Sequence, residues 1–167
     1  MIIADSPANE AERVAALHRL LCLDTPPEQR FDRIVQYAAS EFDVPTVLLS
    51  LVDQNRLWFK AKVGIDFCEI ERETSLCSHA ILCEEPMVVF DTLLDPRFAD
   101  NPLVTGELGI RFYAGAPLET EIGIRVGMLC LIDTKPRAFD AIDTAILKTL
   151  RTLIVSELKN ESADPIG

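Results

Sequence analysis

The stretch TVLLSLVDQNRLWFKAKV, residues 46–63, decides how the rest of the chain is read. Upstream of Val44-Pro45 the apolar residues recur every three to four positions; from Thr46 onward the period is two. The first run, 46–53, is rich in β-branched and apolar side chains and ends in the polar turn Asp53-Gln54-Asn55. The second, 57–63, alternates Trp58, Lys60 and Lys62 against Phe59, Ala61 and Val63. Two such runs across a short polar turn predict a β-hairpin.

Toward the N-terminus, Phe31, Ile34, Val35, Ala38 and Phe42 line one face of a helix. Its expected start is Thr25-Pro26-Pro27-Glu28, which has the form of a capping box with Thr25 as N-cap. Residues 9–23 carry Val14, Leu17, Leu20 and Leu21 at helical spacing, with Glu10, Glu12 and Arg13 on the other side. Toward the C-terminus, Thr74 or Ser75 caps a short helix through Leu82, and residues 87–90 form a short strand. Residues 91–109 are long and irregular, with a helix start at Asn101-Pro102 and a stop at Gly106. Residues 112–118 and 125–132 predict a second hairpin around Gly123. Asp140-x-x-Asp143 then opens a last helix with Ile142, Ile146, Leu150, Leu153, Ile154 and Leu158 inward. The expected division is an N-terminal helix over 1–24, one domain over 25–160 and a disordered tail over 161–167. Hairpin-joined strands predict an α+β fold with a central antiparallel sheet of five or six strands. Terminal helices cover one face. The short helix and the long loop cover the other, where a ligand pocket forms.

The chain has 167 residues, 49% hydrophobic and 26% charged, with a formal net charge of −11. That suits one domain with a real core. An acidic surface repels phosphate backbones, which argues against nucleic-acid binding. No apolar run approaches the ~20 residues of a membrane span, and no secretory signal is visible. Five cysteines without a CxxC pair read as reduced thiols of a cytoplasmic protein.

Four runs, SLCSHAI (75–81), DPRFADNPLVTG (95–106), RFYAGAPL (111–118) and GMLCLID (127–133), together with LDTPPEQRFDRI (23–34), resemble bacterial GAF sensory domains. The similar type is the one fused to histidine kinases and to diguanylate cyclases or phosphodiesterases. The resemblance implies a GAF fold, a sensory, non-catalytic role in two-component or cyclic di-GMP signalling, and a small-molecule ligand with no particular cofactor. Nothing after Gly167 reads as an output domain, so the signal is expected to pass to an output partner or to a further part of a longer protein. In nucleotide-binding relatives a Lys, a Phe and an Asp recur with spacing like Lys135, Phe139 and Asp143. The resemblance implies an ion pair between Lys135 and Asp143 that pins the last strand to the last helix, as a structural device.

The candidate ligand-binding residues are Trp58, Cys77, His79, Asp91, Phe98, Asn101, Arg111 and Tyr113. Phe112 and Tyr113 face opposite sides of a strand, so one of them can line a pocket. Arg97 and Arg111 suit a bidentate grip on an anion, or else tie the long loop to Asp91, Asp95 or Asp100. His79 and Cys83 share a helix face, but two ligands do not make a metal site, so no metal is expected. Two alternatives to a sensor follow from the resemblance. Cys68, Cys77 and Cys83 could serve a thiol enzyme like free methionine-(R)-sulfoxide reductase. Cys77-Ser78-His79 is similar to the Cys-His pair of bilin-binding photoreceptors, though Ser78 interrupts it.

The last helix offers more apolar surface than one sheet face needs. Leu147, Ile154, Val155 and Leu158 widen its stripe, and Val14, Leu17, Leu20 and Leu21 make the first helix similarly broad. The surplus predicts a homodimer through the terminal helices, dissociated by Leu147→Glu with Leu158→Glu.

Overall fold

A computed structural model describes residues 1–163, with side chains through residue 160. The predicted tail thus lies largely outside the described residues. Six strands make one antiparallel sheet: β1 (Thr46–Val52), β2 (Arg56–Val63), β3 (Glu69–Glu71), β4 (Met87–Val89), β5 (Phe112–Glu121) and β6 (Ile124–Asp133). Their spatial order is β3-β2-β1-β6-β5-β4. Both predicted hairpins are present, with Gly123 at φ +79° turning the second. β3 went unseen in the sequence, since Glu-Ile-Glu is too short and polar to show alternation.

Three helices, α1 (Glu10–Arg19), α2 (Gln29–Phe42) and α5 (Ala141–Ala163), cover one face. Their core holds Leu17, Phe31, Val35, Leu49, Phe112 and Leu147, all almost fully buried. The other face is covered by α3 (Cys77–Ala80), α4 (Pro102–Thr105) and the segments between them. A second core there contains Leu48, Phe59, Ile81, Phe98, Tyr113 and Met128. Ser75 is the group that caps the α3 turn: its hydroxyl accepts from Ser78 N at 3.1 Å. Asn101 caps α4 by accepting from Leu103 N at 2.8 Å. α5 opens as predicted, with Asp140 and Asp143 exchanging backbone-to-carboxylate bonds of 3.0 and 2.8 Å.

Several expectations are corrected. α2 starts at Gln29 with Glu28 at its N-cap, not at Thr25. The Thr25 hydroxyl donates to Cys22 O, and Lys60 Nζ takes Thr25 Oγ1 and Glu28 Oε2 (2.6 and 2.7 Å). Lys60 gets there because β2 bulges: Leu49 pairs with Ala61 and Ser50 with Phe59, leaving Lys60 unpaired. The bulge breaks the strict alternation, so Trp58 and Ala61 share the helix-side face. Arg13 is not solvated but 1% exposed. Its guanidinium donates to Val52 O at 2.6 Å where the β1 ladder ends, and pairs with Glu10 at 2.9 Å. On α5, Ile142 and Leu153 point outward at 70% and 50% exposure, while Leu147, Leu150, Ile154 and Leu158 form the buried stripe. The two substitutions expected to dissociate a dimer would therefore strike the core. Leu17 and Leu20 are buried against the domain itself and the exposed Leu21 lies past the end of α1, so the surplus apolar surface of that helix is smaller than the sequence suggests.

The Lys135–Asp143 pair is absent among the described residues: Lys135 is exposed and the Asp143 carboxylate accepts from Asp140 N. Arg137 makes the connection instead. It pairs with Asp133 at 3.0 Å and donates to Phe42 O (2.6 Å) and Asp43 O (2.8 Å). Those carbonyls end α2, where Asp43 takes a left-handed conformation and leaves them without helical partners. Phe139 packs alongside, 5.6 Å from Phe42 and 5.8 Å from Phe112 between ring centroids.

Candidate functional site

Between the sheet and the α3/α4 layer lies a cavity of about 240 Å³. One edge of its lining is where β1 begins and β6 ends, at Thr46, Asp133 and Thr134. Gly64 lets the chain close over this rim: its φ is +90°, and a Cβ would collide with the Pro45 carbonyl. The walls include Leu48, Leu57, Phe59, Ile70 and Ile132, from the faces of β1, β2, β3 and β6 turned away from the three helices, and Ile110 from the segment before β5. Leu103 and Leu108 close it from α4 and the loop after it.

The lining includes no basic residue; Asp133 is its one acid. That carboxylate is 4% exposed and already bonded to Thr134 N and Arg137. The cavity therefore suits an apolar molecule with a neutral hydrogen-bonding group, and is poorly matched to a phosphate or carboxylate.

Of the eight candidate residues, Cys77 and Tyr113 line the cavity. Their buried ends meet Cys130 from β6: Cys77 Sγ stands 3.1 Å from Tyr113 Oη and 3.1 Å from Cys130 Sγ, and Tyr113 Oη stands 3.3 Å from Cys130 Sγ. Gly115 makes room for this arrangement, since a Cβ there would collide with the Tyr113 hydroxyl. Burial pushes the Cys77 thiol up, but hydrogen bonds from Cys130, Tyr113 and Ser50 outweigh it and bring the thiol below its ordinary range. Burial first, and then Cys77 beside it, hold Cys130 well above its own. Burial and the two neighbouring sulfurs likewise raise Tyr113. Within this trio Cys77 gives up its proton before Cys130 or Tyr113. The Ser50 hydroxyl beside it is buried without a hydrogen bond of ordinary geometry.

The other six candidates do not line the cavity. Trp58 lies on the opposite face, in the helix-side core. Phe98 is fully buried beneath the outer layer, with the His79 ring edge-on at 5.0 Å and the Arg97 guanidinium 4.8 Å above it. His79 Nε2 lies 2.9 Å from Ile2 O, tying the N-terminal segment to α3. Asp91 and Arg111 pair with each other at 3.0 Å, and Asp91 also accepts from Leu93 N at 3.1 Å. Arg97 pairs with Asp95 at 2.7 Å. Asn101, besides capping α4, donates to Thr74 O at 3.0 Å. The polar residues of the long loop are thus spent holding the loop in shape. Cys130, Asp133 and most of the apolar lining were missed. Alternation shows that neighbours in VLLSLV or GMLCLID face opposite ways, but both faces of this sheet are buried, so no polar face marks the pocket side.

Among the described residues no group of three or more His, Cys, Asp or Glu side chains could hold a metal ion. No described helix is long and apolar enough to cross a membrane.

A cyclic di-GMP phosphodiesterase of Pseudomonas aeruginosa is 40% identical over 153 residues, 91% of this chain and 26% of that protein. The chain therefore spans about a quarter of the curated relative it matches. The GAF domain of a phosphoenolpyruvate-protein phosphotransferase from Coxiella burnetii superposes with a TM-score of 0.68 at 19% identity, covering 93% of this chain and 98% of that one. The type II free methionine-R-sulfoxide reductase of Thermoplasma acidophilum shares the fold with a TM-score of 0.64 at 20% identity, over 78% of this chain and 91% of the other. Residues 26–158 match the sequence model of the GAF domain. With that match and the sheet order described above, the chain belongs to the GAF domain family.

Proposed function

We propose that this GAF domain is a non-catalytic sensor of a small, neutral, largely apolar molecule, held in the cavity between the sheet and the α3/α4 layer. The observation that carries the reading is the cavity itself: about 240 Å³, walled by apolar side chains, with a few polar groups and no basic residue. Its volume sits just below the ~300–1,000 Å³ of drug-sized sites, which points to a ligand on the scale of indole or a small phenol. The cavity rim also bears the output. Asp133 lines the cavity and holds Arg137, which grips the last carbonyls of α2 a few residues before α5 begins. A ligand that moves Asp133 changes how α2 and α5 are tied together.

The similarity to a cyclic di-GMP phosphodiesterase supports a place beside such an output activity, in cis or in trans. Five cysteines outside any disulfide fit a reducing compartment, and we assign the domain to the cytoplasm. Ile142, Ile146, Thr149 and Leu153 repeat at alternating steps of four, three and four along α5, and Ile142 and Leu153 stand exposed. This is the seam of a two-stranded coiled coil, and we assign a second copy of the domain to it.

Thermal unfolding with indole and 4-hydroxybenzaldehyde as probes, beside cyclic AMP and cyclic di-GMP, tests the ligand class. A neutral probe at 100 times its Kd adds about 2.7 kcal/mol, a rise of about 5–11 °C for a domain this size. A rise with the nucleotides and none with the neutral probes refutes the reading. The thiol-enzyme reading is favoured by the lowered Cys77 thiol in the cavity and opposed by a lining that holds no basic residue to receive the carboxylate of free methionine sulfoxide. NADPH oxidation in a thioredoxin-coupled assay with that substrate would establish it.

A further inference from the structure

The ligand-sensing reading uses Cys77 as a wall and leaves the rest of the thiol–phenol trio without a role. Cys77 comes from the first turn of α3, in the outer layer, and Cys130 from the middle of β6, 53 residues along the chain. Their sulfurs stand 3.1 Å apart, so closing to the ~2.05 Å of a disulfide takes a movement of only about 1 Å. The other three cysteines are elsewhere. Cys22 belongs to the helix-side core, Cys68 is exposed near Lys62, and Cys83 lies beyond the end of α3.

We propose that Cys77 and Cys130 are a redox pair, oxidised to an intrachain disulfide by a neutral hydroperoxide that enters through the cavity. Cys77 is the sulfur that lines the cavity, whereas Cys130 lies behind it. The apolar walls admit an uncharged organic peroxide and disfavour a charged oxidant. In the first step Cys77 sulfur bonds to the terminal peroxide oxygen and the O–O bond breaks. The Cys77 proton leaves with the alkoxide as an alcohol, and Cys77 becomes a sulfenic acid. In the second step Cys130 sulfur bonds to Cys77 sulfur and the S–O bond breaks. The hydroxyl leaves with the Cys130 proton as water. Two thiols lose two electrons and two protons, and one hydroperoxide yields one alcohol and one water. The Tyr113 hydroxyl, 3.1 and 3.3 Å from the two sulfurs, is the donor within reach of both departing oxygens. The disulfide clamps α3 onto β6 and redraws the deep wall of the cavity.

The proposal shares its entry route with the ligand-sensing reading but does not need that reading to hold, because its readout is covalent. The protein with Cys68→Ser and Cys83→Ser is fully reduced, treated with cumene hydroperoxide, denatured and alkylated. The expected result is loss of two alkylatable thiols, a cross-linked peptide pair containing Cys77 and Cys130, reversal by dithiothreitol, and a melting temperature about 5 °C or more above the reduced form. In Cys130→Ala the reaction should stop at a Cys77 sulfenic acid that dimedone traps; circular dichroism reports whether this variant folds, and if it does not, the cross-link alone decides. Full alkylation of Cys77 and Cys130 after treatment, or a cross-link to Cys22, overturns the proposal.

Discussion

Arg137→Met breaks the latch that joins the cavity rim to two helices, and its cost follows from the contacts. The guanidinium pairs with Asp133, whose side chain is 4% exposed, and caps the Phe42 and Asp43 carbonyls. Methionine keeps much of the apolar stem and removes the charge. Breaking a buried ion pair from one side costs about 3–5 kcal/mol, but Arg137 is a quarter exposed and Thr134 N still bonds Asp133, so about half of that applies here. The freed carbonyls lie at a helix end where water replaces most of what is lost, adding up to ~1 kcal/mol. The sum is about 1.5–3.5 kcal/mol, a fall in melting temperature of about 3–14 °C. Urea unfolding followed at 222 nm measures it. Arg137→Lys should recover only part, because a lysine cannot fork between a carboxylate and two carbonyls. Asp133→Asn combined with Arg137→Met should cost less than the two single changes added together. A loss under about 0.5 kcal/mol for Arg137→Met, or an additive double variant, would mean that the latch holds nothing.

Other consequences are as direct. Arg13→Met should cost about 2–3 kcal/mol by orphaning Val52 O, while Glu12→Ala on the exposed side of α1 stays within about 0.5 kcal/mol; equal effects would show that α1 does not dock on the sheet. Ile142→Glu with Leu153→Glu should convert a dimer to a folded single chain of 18.6 kDa by light scattering. Leu147→Glu should instead unfold the domain, and a dimer that survives the first pair refutes the α5 seam. Burial pushes Glu10 and Glu28 up, but hydrogen bonds from Arg72 and Arg13 to Glu10, and from Lys60 and Arg30 to Glu28, hold both carboxyls below the ordinary 4.5. Their stabilisation is therefore complete above about pH 4.5 and is lost as pH falls through the lower folded values. The urea midpoint should decline more steeply below pH 4.5 in the parent than in Glu10→Gln with Glu28→Gln, and parallel curves would contradict the assignment. Ile110→Trp should fill the cavity and abolish any thermal shift by indole while leaving the fold intact; an undiminished shift would locate binding elsewhere.

Local order was legible in the sequence because it rests on neighbours along the chain. The change of period at Thr46, the turns at Asp53 and Gly123, the Asn101 and Ser75 caps and the Asp140/Asp143 box each depend on residues within four positions of one another. Hairpins in turn imply antiparallel pairing, and broad apolar stripes imply helices laid on a sheet. What the chain alone left open was which side of each strand meets which layer. Both faces are apolar, so Tyr113 and Phe112 look equivalent until α3 covers one and α5 the other. A single bulge at Lys60 moved Trp58 and Ala61 to the same side and took Trp58 out of the pocket. The loop residues that looked like ligand-binding groups, Asp91, Arg111 and Asn101, satisfy one another or nearby backbone. Cys130 became a partner of Cys77 only when β6 brought it beneath α3. Such pairings are decided by long-range packing, because a buried charge or thiol takes whichever partner the folded chain sets beside it.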